Sequence, residues 1–457
     1  MRNSKTIYID QHEYTADHIL LRYSLGESNF HVRYKYEDIC LISLEKVIGK
    51  KAMDRIVFHM SLFEANKLTS LAADNIDPGI YQEFVSPELA ELWNICTKNI
   101  WAQWRFQNNK PNFNHAELSG SGKSLEPIKY KKKNSDYLLF CGGGKDSLLM
   151  CCLLSEQNID FDILGYSIDF YGDQEKQKEY IKNVASVSKK AGYLHISVND
   201  NLMSMTKEEL SQFNCKELIG GETPSSLFSA IPYVILNQKT GMVLGNERSA
   251  NYPNLKWDKE QGNEINHQWG KSFEAEKLLS NYINDYLLAD CRYFSLLKPM
   301  MDPLIFKFLK KYQAYIGLAH SCNVEKPWCK KCPKCAYVYL NYMAYFDEDN
   351  VVKIFGGTSL FDLDENQKFF YDMLGLGEHT PFECIGQEEE TILAFYLCAK
   401  KGIKGRAIDL FENNFTNYSP GPLNKNLFQL HNEHLIPKDL FLKLQEQFFS
   451  LDLPDYD

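Results

Sequence analysis

The stretch FCGGGKDSLLM, residues 140–150, combines a run of glycines with residue types that bind phosphate. Its glycines are Gly142, Gly143 and Gly144. Glycines let backbone N–H groups turn toward a phosphate, and the apolar run that follows predicts a helix whose N-terminus adds partial positive charge. Lys145 can neutralise a phosphate oxygen, Asp146 can help hold Mg²⁺, and Ser147 can donate to a phosphate oxygen. We therefore expect a phosphate-binding loop here.

Known phosphate loops differ in the residues around their glycines. A Walker A loop places Ser or Thr after its lysine, whereas Asp146 follows Lys145 here. A dinucleotide fingerprint needs a third small residue where Ser147 stands, and no clear ribose-binding acid follows. A glycine turn that only packs strand against helix leaves the Lys-Asp-Ser sequence unexplained. GGGKDS instead resembles the Ser-Gly-Gly-x-Asp-Ser loop of ATP pyrophosphatases, with Gly142 in place of the serine.

Two downstream segments fit a nucleotide site of this kind. In LGNERSANYPN, residues 244–254, four consecutive polar residues are candidates to contact the phosphates, a metal or the acceptor: Asn246, Glu247, Arg248 and Ser249. A capped surface loop is the alternative interpretation of this segment. In LLKPMMDPL, residues 296–304, Lys298 precedes a proline as in the fifth-strand segment of these enzymes and can reach the phosphates. The resemblance implies that ATP is split into AMP and pyrophosphate and that the adenylyl group goes to a carboxylate, carbonyl or amide oxygen.

A second kind of chemistry is indicated by HSCNVEKPWCKKCPKC, residues 320–335. Its cysteines follow the spacing C-x6-C-x2-C-x2-C and are Cys322, Cys329, Cys332 and Cys335. Four thiolates at this spacing favour a tetrahedral Zn²⁺ site with a structural role. An iron–sulfur cluster is the alternative metal centre, and incidental core cysteines do not produce this spacing. We expect His320 to be a neighbour of the metal and not a ligand.

Short apolar runs alternate with helix-like segments between residues 136 and 318. The alternation predicts an α/β fold with a doubly wound, parallel, five-stranded sheet of the ATP pyrophosphatase type. Ligands of such sheets bind at the carboxyl ends of the strands, where the glycine loop lies. Around this domain we expect an α+β domain over residues 1–115 that recognises substrate, a linker over 116–135, a zinc knuckle over 319–340 and a mostly helical domain over 341–457.

Composition restricts the class of protein. The chain has 457 residues, 44% of them hydrophobic, and a net charge of −10, which argues against a nucleic-acid partner. The sequence contains no apolar run of about 18 residues, so we expect no membrane span. The N-terminus does not resemble a signal peptide. The 13 cysteines lie largely in apolar segments, which indicates a reducing, cytoplasmic location. The sequence does not indicate an oligomeric state.

In their order along the chain, GGGKDS, GNERSAN, WCKKCPKC and PFECIGQEEE resemble one family. It is the MurL family of ATP-dependent UDP-N-acetylmuramoyl-L-alanyl-L-glutamate epimerases, and HTPFECIG, residues 379–386, is the more specific of the matching motifs. The likeness spans residues 137–390 and is weaker in the N-terminal part. The resemblance implies inversion of the terminal L-glutamate of a peptidoglycan precursor to D-glutamate, with ATP and Mg²⁺.

The implied reaction has a physical rationale. A free carboxylate opposes removal of the α-proton, because two negative charges would lie side by side, and adenylation removes this obstacle. A base then takes the proton on one face and an acid returns one on the other. In the family-like motif, Cys384, Glu383 and His379 are candidates to carry the proton, and a structural Cys384 is an equally weighted alternative. Lys145, Asp146 and Arg248 are the candidates that act on the activated group.

Two other functions remain open from the sequence. One is another adenylating enzyme of this superfamily, which modifies a deazaguanine or a tRNA base. The other is a protein that binds a nucleotide without turnover. Release of AMP and pyrophosphate with and without the muramoyl dipeptide distinguishes them from the epimerase.

Overall fold

The structure, a computed structural model, describes residues 5–120, 122–133, 136–260 and 263–453. Its strands are β1 (Thr6–Ile9), β2 (Glu13–Tyr14), β3 (His18–Leu25), β4 (Ser28–Tyr36), β5 (Asn75–Asp77), β6 (Asp136–Cys141), β7 (Asp160–Ile168), β8 (Tyr193–Asp200), β9 (Gly241–Leu244), β10 (Leu255–Trp257), β11 (Asn263–Ile265) and β12 (Arg292–Ser295).

The α-helices form three groups along the chain. The N-terminal group is α1 (Leu41–Ile48), α2 (Lys50–Ala65) and α3 (Pro87–Gln107). The helices interleaved with the sheet are α4 (Lys145–Glu156), α5 (Gln174–Ala185), α6 (Lys207–Ser211), α7 (Glu222–Leu236), α8 (Phe273–Tyr282) and α9 (Asp302–Lys311). The C-terminal group is α10 (Pro333–Tyr345), α11 (Glu348–Ile354), α12 (Asp364–Met373), α13 (Glu388–Lys400), α14 (Arg406–Asn414) and α15 (Lys438–Phe449).

Five strands of the main sheet run parallel, in the order β12-β9-β6-β7-β8. The prediction of an α/β fold with a parallel sheet is confirmed. The chain moves from β6 to β7 and β8 on one side, then returns to β9 and β12 on the other. The order therefore reverses beside β6, and ligands of open α/β sheets bind at such a reversal.

The five parallel strands expected from the sequence are present, but they form only part of the main sheet. Within the part of the chain that the structure describes, the sheet has ten strands. Strand β4 pairs antiparallel with β8 and leads on to β3, β1 and β5, with β2 beside β3. Val32 lies opposite Asp200 and Tyr36 opposite Ile196 in this pairing. The N-terminal strands thus cover what would otherwise be a free edge of the parallel strands. The sequence predicted an α+β region over residues 1–115 but contains no signal for the edge that its strands join.

Amphipathic spacing predicts helices over residues 174–192 and from Phe273 to Asp290, and both end earlier in the structure. The expected helix over 174–192 ends at Ala185, because Val187 and Ser188 bond three residues back in a tightened turn. The expected helix from Phe273 to Asp290 ends at Tyr282 and continues as a π-helical turn. Helix boundaries depend on these local backbone bonds, which residue periodicity does not specify.

The C-terminal helices pack around α10, which is the most buried helix of this part. Residues 334–344 of α10 are all buried, as expected for a helix covered on every side. Its N-cap is Cys332, whose sulfur accepts a hydrogen bond from the Cys335 backbone N–H. The cysteine segment therefore leads directly into the core of the C-terminal part. Among the described residues, no helix has both the length and the apolar character that crossing a membrane requires.

Candidate active site

The glycine loop joins β6 to α4 beside the reversal in strand order. Gly143 has a φ of +77°, and a Cβ at this position would lie 3.4 Å from the Ile181 side chain. This backbone region favours glycine. The Gly142 backbone N–H donates to the Ser147 hydroxyl oxygen at 3.0 Å, which closes the loop on the first turn of α4.

Lys145 points into the protein from the first turn of α4. It is 1% exposed, and its ammonium donates to Asp146 and to Asp302, at 2.6 Å in each case. Burial favours the neutral amine, but these carboxylates outweigh it and raise the pKa of Lys145. Burial raises the pKa of Asp146. Lys145 thus neutralises an acidic pair at the base of the loop.

Asp302 belongs to a buried hydrogen-bond network behind the loop. Its backbone N–H and the Ser249 hydroxyl both donate to the Glu390 carboxylate, at 2.9 and 2.6 Å. The Tyr337 hydroxyl donates to the other Asp302 oxygen at 2.8 Å. Burial, followed by the charge of Asp302, raises the pKa of Glu390 to about 8. Ser249 therefore serves this network, whereas sequence patterns made it a candidate ligand of the nucleotide.

The segment after β9 faces the glycine loop with buried donors. Within the described residues, Asn246 Nδ2 and the Nε and Nη1 of Arg248 are buried without a hydrogen-bond partner. The remaining Arg248 nitrogen donates to Glu433 at 2.9 Å. Burial opposes ionisation of Glu247, but Lys145 and Lys271 outweigh it and lower its pKa. Buried unpaired donors beside a glycine loop fit an anionic ligand, because leaving them unmet is costly.

Lys298 lies behind this segment. Its ammonium donates to the backbone carbonyls of Glu247 and Lys271, at 3.0 and 2.6 Å. Burial lowers the pKa of Lys298 to about 8. Lys298 therefore ties two segments of the site together, and the contact expected with a phosphate is not needed to explain its position.

The four cysteines of the knuckle converge. Their sulfurs all lie within 4.8 Å of one another, with 3.9 Å between Cys322 and Cys332 and 3.8 Å between Cys329 and Cys335. Tetrahedral Zn–S bonds of about 2.3 Å place sulfurs about 3.8 Å apart, so the group fits Zn²⁺. Backbone N–H groups of Val324, Glu325 and Cys329 point at the Cys322 sulfur.

The residues just before Cys322 hold the glycine loop. The His320 backbone N–H donates to the Gly143 carbonyl at 2.8 Å, and the Ser321 hydroxyl accepts from the Lys145 backbone N–H at 3.2 Å. The His320 ring packs edge-on against Tyr180 and is not among the four converging ligands. The cysteine cluster therefore braces the loop.

A further cluster surrounds Cys384, which is half-buried. The Lys271 ammonium donates to its sulfur at 2.9 Å, and a ring nitrogen of His267 lies within 4.8 Å of the same sulfur. Glu383 accepts from the Cys384 backbone N–H at 2.8 Å, and Lys334 donates to the Cys384 carbonyl. The ligand atoms of His267, Glu383 and Cys384 lie within 4.8 Å, but the Lys271 ammonium already supplies the cation beside the sulfur, so we assign no metal here.

His379 lies in an aromatic group beside this cluster. Its ring stacks on Phe382 with centroids 4.5 Å apart and meets the edge of Phe106. Its Nδ1 is 2.7 Å from the Thr380 carbonyl. His379 thus contacts aromatic rings and a backbone carbonyl, whereas Cys384 lies beside the basic side chains of Lys271 and His267.

Charged side chains connect the thiol to the glycine loop. Lys271 faces Glu247 and Asp146 in addition to Cys384, and Lys334 faces the same two carboxylates. The two groups of candidates, which lie far apart in sequence, are therefore close enough for their charges to interact. Lys271, His267 and Asp302 were missed by sequence reasoning. HQWGK, residues 267–271, has no recognisable motif spacing, and only the two basic residues themselves gave a signal.

The fold and the site together define a mixed α/β protein whose candidate site residues follow the strands at the reversal point of its parallel sheet. The chain belongs to the MurL family: the family model for the MurL N-terminal domain matches residues 80–296, and that for the MurL C-terminal domain matches residues 315–410. The glycine loop lies in the first match, and Cys384 lies in the second.

Three curated relatives are named UDP-N-acetyl-α-D-muramoyl-L-alanyl-L-glutamate epimerase. Those of Micromonospora sp. and Salinispora tropica are each 29% identical to this chain, over 67% of it and over 66% and 65% of their own lengths. The relative of Xanthomonas oryzae pv. oryzae is 27% identical over 68% of each chain. The chain therefore spans just under two thirds of the length of the first two.

Proposed function

We propose that the protein is an ATP-dependent epimerase that inverts the terminal L-glutamate of UDP-N-acetylmuramoyl-L-alanyl-L-glutamate. The observation that carries this proposal is the Lys271 ammonium, which contacts the Cys384 thiol and also faces Glu247 and Asp146 beside the glycine loop. A group that can take a proton thus lies next to a site that can activate a carboxylate. The names of the relatives support the same substrate.

The first proposed step is adenylation. A carboxylate oxygen of the terminal glutamate attacks the α-phosphorus of ATP, and the bond from that phosphorus to the pyrophosphate oxygen breaks. The unpaired donors of Asn246 and Arg248 suit the phosphates. Asp146 and Glu247 are the carboxylates that would hold Mg²⁺, which neutralises phosphate charge when bound.

The second proposed step is proton removal. The adenylated glutamate no longer carries a negative charge next to its α-carbon, so its α-proton is more acidic. Cys384 takes that proton as a thiolate, and a proton is returned on the opposite face. Water then attacks the acyl carbon, the acyl C–O bond breaks and AMP leaves, which makes the inversion irreversible.

A structural Zn²⁺ is the third part of the proposal. Cys322, Cys329, Cys332 and Cys335 would hold it, since their sulfur separations fit the ion. Zn²⁺ bound there would fix the segment that braces Gly143 and Lys145.

The test uses the purified protein with the UDP-linked dipeptide, ATP and Mg²⁺. We expect the dipeptide to stimulate release of AMP and pyrophosphate, and acid hydrolysis of the product to yield D-glutamate on chiral chromatography. UDP-N-acetylmuramoyl-L-alanine, which lacks the glutamate, is the matched control and should not stimulate AMP release. Stimulation by a 7-deazaguanine and not by the dipeptide, or glutamate that stays in the L form, would contradict the proposal.

A further inference from the structure

The segment between β11 and α8 carries the basic residues beside Cys384, and it is fixed on two sides. Asn266 donates from its side chain to the Ala250 carbonyl at 2.9 Å. The Gln268 side chain donates to the Ile385 carbonyl at 3.0 Å. The Lys271 carbonyl accepts from the buried Lys298 ammonium at 2.6 Å. The positions of the basic residues are therefore set before any ligand binds.

Two of these basic residues meet one sulfur. The Lys271 ammonium lies 2.9 Å from the Cys384 sulfur, and a ring nitrogen of His267 lies within 4.8 Å of the same sulfur. On its other side, His267 Nδ1 lies 2.7 Å from the Gln103 side-chain oxygen, which orients the ring. A thiol that accepts from an ammonium and has an imidazole beside it is arranged as an acceptor, the form in which a cysteine acts as a base.

We propose that Lys271 and His267 are positioning residues that hold Cys384 as a thiolate in the enzyme before substrate binds. This inference rests on the proposed function, in which the same thiolate removes the α-proton. Lys271 also faces Glu247 and Asp146, so one ammonium serves both the thiolate and the carboxylates beside the glycine loop.

The remaining charged groups around the sulfur agree with this arrangement. Glu383 opposes ionisation of the thiol, and Tyr171 approaches the pair from the turn after β7, with its hydroxyl donating to Glu222 at 2.8 Å. Lys334 donates to the carbonyl of Cys384 and not to its sulfur.

The pKa of the Cys384 thiol reflects the balance of these charges. Burial raises it, but Lys271 and His267 outweigh burial and Glu383, so the pKa of Cys384 lies below that of an ordinary thiol. Burial likewise disfavours the charged forms of Lys271 and His267, and the Cys384 charge reverses this and raises the pKa of both.

The experiment measures alkylation of Cys384 by iodoacetamide as a function of pH, with the modified peptide quantified by mass spectrometry. The variants are Lys271→Met, Lys271→Arg, His267→Gln and, as a control, Lys256→Met, which alters an exposed lysine paired with Glu264. Cys40 is the internal control, since this half-buried thiol lies before α1 in the N-terminal part.

We expect the wild-type midpoint to lie below the value of about 8.5 for an ordinary thiol. In Lys271→Met it should rise by about one to three pH units, the range for loss of an adjacent opposite charge. His267→Gln should shift it in the same direction, while Lys271→Arg and Lys256→Met stay near the wild type. The Cys40 midpoint should not move in any variant.

A midpoint in Lys271→Met equal to that of the wild type, or an equal shift at Cys40, would overturn the inference. His267→Gln tests it independently if Lys271→Met does not fold. Failure of the proposed function looks different: the wild-type protein would then form no D-glutamate from the dipeptide, even though its Cys384 is a thiolate. Exchange of the substrate α-proton at the wild-type rate by Cys384→Ala would show instead that another residue takes the proton.

Discussion

At the scale of single residues, the site depends on charges that are buried and paired. Cys384 is stabilised as an anion by Lys271 and His267, and Lys145 is stabilised as a cation by Asp146 and Asp302. Such groups are costly to bury alone, since one unpaired charge in the interior destabilises the fold by several kcal/mol. The site therefore consists of oppositely charged pairs, and substitution of one member leaves the charge of the other without a partner.

Glu390 gives a stability prediction at this scale. Its pKa is about 8 in the folded protein, above that of an exposed glutamate, because burial disfavours its charge. The pKa of Glu390 is therefore higher in the folded protein than in the unfolded chain. Protonated Glu390 contributes its full stabilisation of the fold at pH values below its pKa in the unfolded chain. This stabilisation is lost as pH rises toward about 8. Glu390→Gln removes this dependence, so its stability relative to wild type should increase with pH over this window.

The measurement is thermal unfolding of both proteins at several pH values. At about 1.4 kcal/mol per pKa unit, the relative gain of Glu390→Gln should reach a few kcal/mol near pH 8. Glu389→Gln, a change at the neighbouring exposed position of α13, is the control and should show no such trend. A constant difference between Glu390→Gln and the wild type across pH would contradict the assignment.

The sequence indicated part of the site at this scale. GGGKDS predicted the loop because each residue type suits phosphate, and Cys384 came from a motif. Lys271 and His267 could not be predicted, because their role depends on a turn that brings residues 267–271 against residue 384. Likewise, Lys145 and Lys298 suit phosphate by type, but their ammonium groups are engaged with carboxylates and carbonyls.

At the scale of elements, the glycine loop gives a second prediction. Gly143 has a positive φ and a neighbour within 3.4 Å of an added Cβ, whereas an added Cβ at Gly142 meets nothing within 4 Å. Gly143→Ala should therefore destabilise the protein by about 1 kcal/mol and slow AMP formation. Gly142→Ala should reduce both the stability and the rate of AMP formation by less than Gly143→Ala does. If the two variants changed thermal unfolding and AMP release equally, the positive φ of Gly143 would not be what requires a glycine there.

The cysteine knuckle gives a third prediction. His320 and Ser321 hold Gly143 and Lys145, so loss of the Zn²⁺ that we propose for the four cysteines should loosen the loop. In Cys332→Ser we expect loss of bound zinc by elemental analysis and a several-fold rise in the KM for ATP. Cys215→Ser, at a buried cysteine in another part of the fold, should retain both zinc and KM. Zinc loss with an unchanged KM would contradict the bracing role.

The sequence predicted helices and strands better than it predicted single site residues or long-range packing. The five parallel strands and the helices α4, α5, α7 and α8 were predicted because apolar runs and amphipathic spacing are local signals. The end of α5 at Ala185 and the π turn after Tyr282 were not, since they depend on bonds between neighbouring backbone groups.

At the scale of the whole molecule, the N-terminal segment is part of the main sheet. Strand β4 covers the edge of β8, and the Tyr36 hydroxyl donates to the Ser229 carbonyl of α7 at 2.8 Å. The family match begins at residue 80, after these strands. Which edge of the sheet they occupy depends on long-range packing, and the sequence offered no signal for it.

This arrangement predicts the effect of truncation. A chain that starts at residue 80 exposes the edge of β8 and a face of α7, and exposed edges promote association. We expect it to be insoluble or aggregated, as measured by soluble yield and light scattering. Removing residues 1–4, which precede β1, is the control and should leave both unchanged. A soluble, monodisperse truncated chain with the wild-type melting temperature would show that the N-terminal strands form a dispensable domain.

We propose that ATP activates a glutamate whose α-proton then exchanges beside Cys384. The most direct test is incubation with UDP-N-acetylmuramoyl-L-alanyl-L-glutamate and Mg²⁺ in D₂O, with and without ATP, followed by mass spectrometry and chiral analysis of the glutamate. We predict D-glutamate carrying one α-deuterium, formed only with ATP and with release of AMP. Deuterium incorporation without ATP, or AMP release with glutamate that remains protonated and in the L form, would contradict the account.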